Sequence, residues 1–126
     1  MGYYESWSPG LPCDAITPDE IDPTPWTHLS YSFALIGSDN TITQMNSYDT
    51  DYYTTFNALK EKKPSLKTMI SVGGWAAGGA VFSTMTATSE SRATFISSAI
   101  ALMSQYGFNG LDIDWEYPAA GDRGKC

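Results

Sequence analysis

The chain has 126 residues, 14 acidic against 7 basic side chains, and a formal net charge of −7. This length suits one domain with a core of its own. The charge argues against nucleic acid and other anionic partners, because the only basic cluster is Lys60, Lys62 and Lys63. No run of 18 apolar residues exists to span a membrane, and MGYYESW lacks the basic region and apolar core of a signal peptide.

In chain order, residues 2–7 (GYYESW) read as a short strand, which SPGLPC then breaks with two prolines and a glycine. Thr17, Pro18 and Glu20 form a capping box for a turn of helix that Pro23 and Pro25 keep short. HLSYSFALI (28–36) reads as a second strand, and SDN (38–40) as a turn. Tyr52, Phe56 and Leu59 mark a helix over 51–63 that Pro64 ends. LKTMISV (66–72) is a third strand, followed by Gly73 and Gly74. WAAGGAVFSTM reads as loop. A long helix spans about 88–106, with Phe95, Ile96, Ala99, Ile100 and Met103 on its buried face and Gly107 closing it. Residues 108–116 form the fourth strand. Strands alternating with helices predict right-handed crossovers and a parallel sheet, in one domain over 1–126.

The fourth strand carries the chemistry. In NGLDIDWEYP (109–118), strand alternation puts Asp112, Asp114 and Glu116 on one face and Leu111, Ile113 and Trp115 on the other. The apolar face belongs under helices. The acidic face needs a wet pocket, since buried unpaired carboxylates are very costly. Successive acids lie roughly 6–7 Å apart, so at least one is expected to hold its proton near neutral pH. A protonated acid beside a carboxylate suits acid–base catalysis, with a cation row or a purely structural set as alternatives. Same-face strand positions fan out, which disfavours a shared metal ion, and no zinc pattern accompanies the single histidine, His28. His28 reads as a locally hydrogen-bonded residue rather than a base.

SVGG (71–74) is not a nucleotide loop, because GxGxxG and GK[ST] are absent. Its glycines suit close approach of backbone or ligand at a strand end. Ser71 is placed to share the hydrogen bonding of Asp112 if the third and fourth strands are neighbours. Aromatic residues near strand ends, Tyr4, Trp7, Phe33, Trp75 and Tyr117, are candidates for stacking on sugar rings, with packing as the alternative.

The run 109–118 resembles the DGxDxDxE signature of glycoside hydrolase family 18, the chitinase family, and SVGG resembles its SxGG motif. The stretches GYYESWSPGLPC and WTHLSYSFA further resemble fungal secreted chitinases related to killer-toxin subunits. The resemblance implies a TIM (β/α)8 barrel, of which the first four β/α units are legible. Such barrels take about 250 residues and eight strands. The expectation is therefore a half-barrel fragment with open sheet edges prone to self-association, and hydrolysis is expected of the family domain rather than of this half alone.

By resemblance, Glu116 is the general acid and then the base. Asp114 orients the substrate's 2-acetamido group, and Asp112, neutral beside an anionic Asp114, tunes its charge. The implied ligand is chitin or chitooligosaccharide, bound by Tyr4, Phe33, Ser71, Gly73, Gly74, Trp75 and Tyr117, without cofactor or metal and in an extracellular setting. Asn109 stands where the family usually has Asp, with a modest effect expected on site electrostatics. Met1 stands where the fungal subgroup tends to have Cys, which leaves the pairing of Cys13 and Cys126 open.

Overall fold

A computed structural model describes residues 1–118. Its strands are β1 (Gly2–Glu5), β2 (His28–Ile36), β3 (Ile42–Gln44), β4 (Lys67–Gly73) and β5 (Gly110–Asp114). Its helices are α1 (Asp49–Lys62), α2 (Ala80–Thr86) and α3 (Ser89–Tyr106). The strands β1, β2, β4 and β5 lie side by side in that order, all parallel, with the short β3 antiparallel on the end of β2. This is a partial (β/α) barrel-type arrangement, as the alternation of elements predicts.

Local chemistry explains most boundaries. Glu20 accepts the Thr17 backbone N–H at 2.7 Å, closing the expected capping box, and Pro18–Glu20 stops after one 3-10 turn. Thr88 caps α3 by accepting the Ser91 N–H at 3.0 Å. Gly107 ends α3 in the left-handed region at φ 81°, where a side chain would be strained.

Two elements escape the sequence pattern. β3 is only three residues long, and α2 forms where a loop was expected. The helix α2 exists because Phe82 and Met85, one turn apart, both reach the core.

Neighbouring strands put Tyr4, Tyr31, Ile70 and Leu111 in one register row on the helix-covered face. Tyr31 is fully buried and meets Tyr4 at 5.4 Å, Tyr53 at 4.9 Å and Phe56 at 5.5 Å between ring centroids. On α3 the buried residues are Phe95 and Ala99, while Met103 packs partly against the core. Ile96 and Ile100, expected on the buried face, are instead each 54% exposed. Each follows a buried position by one residue, a rotation of about 100° around the helix, which carries it off the packed stripe.

Asp49, at the first position of α1, is fully buried. It accepts the Tyr31 hydroxyl at 2.7 Å and the backbone N–H groups of Met45 at 3.0 Å and Asn46 at 2.6 Å. A carboxylate there satisfies otherwise orphaned donors and favours the helix N-terminus. Asp49→Ala is expected to lose about 2–4 kcal/mol in urea unfolding, because several buried donors lose their acceptor together. Asp49→Asn should lose less.

Cys13 is exposed. Cys126, its possible partner, lies outside the described residues.

Candidate active site

The strand register assembles the site. Glu5, Ser32, Ser71 and Asp112 are successive partners across β1, β2, β4 and β5, and Gly73 partners Asp114. Since β4 and β5 are neighbours, Ser71 donates its hydroxyl to Asp112 at 2.6 Å. Ser30 Oγ lies 2.7 Å from Ser71 Oγ and extends the chain. The Tyr3 phenol also hydrogen-bonds Asp112.

The carboxylates are less regular than strand alternation implies. Asp112 and Asp114 lie on β5, but Glu116 lies two residues beyond its end. Asp112 and Asp114 line a cavity of about 290 Å³ together with Tyr3, Glu5, Trp7, Ser32 and Phe33. Glu116 lines an adjoining, largely apolar cavity of about 540 Å³, with Trp7, Phe33, Met45 and Trp75 as walls. Trp7 and Phe33 stack at 6.3 Å between centroids and border both cavities. Trp75 is 64% exposed, a flat apolar face offered to solvent. Tyr117, directly after Glu116, is exposed as well.

Burial raises the Asp114 carboxyl above its ordinary value, with the charges of Glu116 and Asp112 adding to the shift. The expectation placed the retained proton on Asp112; the site instead favours it on Asp114. Burial also raises the Tyr3 phenol, with Asp112 and Asp114 adding to it.

A raised carboxyl binds its proton more tightly in the folded state. Its stabilising contribution is therefore present at low pH and lost as pH rises through the folded value. Glu116→Gln removes one of the repelling charges and is expected to move the Asp114 titration back toward 3.8. Carboxyl-carbon NMR titration would measure this, and an unmoved Asp114 would separate the two side chains electrostatically.

The two glycines are sites of close approach. A Cβ on Gly73, at φ +116°, would fall 2.3 Å from the Asp114 carbonyl oxygen. One on Gly74, at φ +80°, would fall 2.7 Å from the Phe33 ring. The Gly74 N–H donates to the Asp114 carbonyl at 3.0 Å, so this turn holds the end of β5. Trp115 packs against the core as expected, stacking on Phe82 at 5.3 Å.

Tyr4 does not belong to the site. It is buried on the helix face and its phenol donates to the Ile16 carbonyl at 3.0 Å. Its neighbour Tyr3 takes the place expected of it, because adjacent strand residues face opposite ways. Tyr3, Glu5, Ser32 and Met45 line the cavities and were not singled out from the sequence. The alternation of GYYE could have found Tyr3 and Glu5, had the face of that strand been known.

Asn109 lies at the opposite end of β5, where its Oδ1 accepts the Thr68 N–H at 3.0 Å. It is about 16 Å along the strand from Asp114, so its role is to pin two strands rather than to adjust the acids. His28 is exposed, with Nδ1 3.1 Å from Thr27 Oγ1, a local contact away from the carboxylates.

The model for glycosyl hydrolases family 18 matches residues 1–125. The chain is 43% identical to chitotriosidase-1 of Mus musculus over 109 residues, covering 86% of this chain and 23% of that protein. Its fold is similar to that of the Group IV chitinase of Ostrinia furnacalis, at TM-score 0.88 and 38% identity, covering 95% of this chain and 33% of that one. It is also similar to human YKL-39, a pseudo-chitinase with retained chitooligosaccharide binding properties. That match has TM-score 0.83 and 38% identity, covering 91% of this chain and 32% of the other. The chain thus spans about a quarter to a third of these relatives.

These relatives correct the expected fungal killer-toxin-related placement. The similarity runs to proteins of mammals, insects, a nematode and a plant, and it carries neither a fungal nor a secreted origin. The stretches behind that placement form β1 and β2, whose Tyr4, Leu29, Tyr31 and Ala34 are core residues. Packing of that kind marks the fold rather than a subgroup.

Proposed function

We propose, from the premise that this chain belongs to glycosyl hydrolase family 18, that it carries the acid–base centre of a site cleaving β-1,4 links in chitin. The observation that carries this reading is Glu116. It stands at the edge of an aromatic-walled cavity, beside an Asp114 whose carboxyl is raised. Trp7, Phe33 and Trp75 offer ring faces to sugar rings, and the carboxylates lie alongside them.

In the proposed reaction Glu116 gives its proton to the glycosidic oxygen as the bond to the anomeric carbon breaks. The acetamido oxygen of the same sugar attacks that carbon, forming an oxazolinium ion with no covalent bond to the enzyme. Asp114 orients the acetamido group and offsets the positive charge developing on it. Asp112 is a positioning residue, held by Ser71 and Tyr3 and acting through Asp114. Glu116, now a carboxylate, takes a proton from water as the water attacks the anomeric carbon. The ring opens and configuration is retained.

The alternative is chitooligosaccharide binding without cleavage, as the human relative's description states for that protein. The exposed Trp75 and the stacked Trp7 and Phe33 would serve binding equally well. Product analysis after incubation with a chitin oligosaccharide decides between the two. Shortened products support hydrolysis, and intact oligosaccharide with measurable binding supports the alternative.

A further inference from the structure

The 290 Å³ cavity on the β1 side of the acids is unbalanced in its hydrogen-bonding groups. It is lined by three carboxylates, Glu5, Asp112 and Asp114, and by no basic side chain. The hydroxyls of Tyr3 and Ser71 are already committed to Asp112. Among the described residues no donor meets the Glu5 carboxylate. Ser32 is 2% exposed, lines the same cavity, and its Oγ has no hydrogen-bond partner. A buried hydroxyl left unpaired beside unpaired carboxylate oxygens calls for a ligand rich in donors.

An acetamido group brings one N–H and an acceptor oxygen. A protonated amine brings three N–H donors and a positive charge, and it matches this lining. We infer that the cavity receives the ammonium group of a glucosamine unit, so that the chain's ligand is partially deacetylated chitin.

Glu5 is three strand spacings from Asp112 in the same register row, about 14 Å along the sheet. The amine therefore belongs to a unit beyond the one whose acetamido group Asp114 orients. The inference rests on the chitin reading above for the identity of the polymer. The carboxylate–ammonium contact itself depends only on the cavity.

Calorimetric titration of this chain tests it with two probes. One is the β-1,4 tetramer of N-acetylglucosamine, and the other is the set of four tetramers each deacetylated at a single unit. At least one deacetylated isomer should bind as tightly as the acetylated tetramer or more tightly, with the greater loss of affinity on adding salt. Glu5→Gln should lower the affinity ratio of that isomer to the acetylated tetramer about tenfold. Ser32→Ala should lower the same ratio by a smaller factor, and it serves as the test if the Glu5 variant does not fold.

Ratios unchanged within twofold in the folded variants would overturn the inference. So would failure of every deacetylated isomer to bind wild type while the acetylated tetramer binds, which would leave the chitin reading standing. Binding of a deacetylated isomer without binding of the acetylated tetramer would uphold the cavity and overturn that reading. Failure of both probes would overturn both.

Discussion

Glu116→Gln is expected to lower hydrolysis of a chitin oligosaccharide by about 10²–10⁴-fold, the usual contribution of a positioned general acid. Glutamine keeps the size and most of the polarity of the side chain but has no proton to give the leaving oxygen. Affinity should stay within a few-fold, since the aromatic walls of the cavity are untouched. The paired measurement is kcat against binding of the same oligosaccharide, in any protein that carries this segment. A variant that cleaves at the wild-type rate would remove Glu116 from the acid role. The pH profile adds a check on the chemistry, since any residual activity should lack the limb that reports the acid's ionisation.

Gly73→Ala is expected to be the most damaging single-methyl change in the site. Its Cβ would meet the Asp114 carbonyl oxygen at 2.3 Å and the Phe82 ring at 2.7 Å. The first of these is backbone and cannot swing away. Its φ of +116° is also one that side chains rarely adopt. Backbone strain and overpacking together predict a loss of about 3–5 kcal/mol in urea unfolding. Gly78→Ala is the control. It has φ +71° but nothing within 4 Å of the added carbon, so only the strain of about 1–3 kcal/mol applies. Equal losses at the two positions would mean that the contact between β4 and β5 does not explain Gly73. A larger loss at Gly73, with weaker oligosaccharide binding in the surviving protein, ties the glycine to the placement of Asp114.

Short-range pattern carried much of this molecule. Alternation in LDIDW separates Asp112 and Asp114 from Leu111, Ile113 and Trp115 without reference to any other part of the chain. The caps at Thr17, Thr88 and Gly107 are equally local, and each holds in the structure. Pattern fails where an element is too short to show a period, as in the three residues of β3, or where tertiary contact creates it, as in α2. It also fails on α3, where five apolar positions cover more of the circumference than the neighbouring elements bury, and Ile96 and Ile100 are left outside.

The site divides along the same line. Sequence alone determined that acids and apolar residues alternate at 111–116 and that two glycines end the preceding strand, because these depend only on residue order. The tertiary structure decided which of Tyr3 and Tyr4 meets the acids and brought Glu5 and Ser32 into their cavity. It also set Glu116 past the strand end against Trp75. A strand's two faces are equivalent until its register against neighbours selects one. Here that selection is made by β2 and β4, from residues some 25 to 65 positions along the chain from β1.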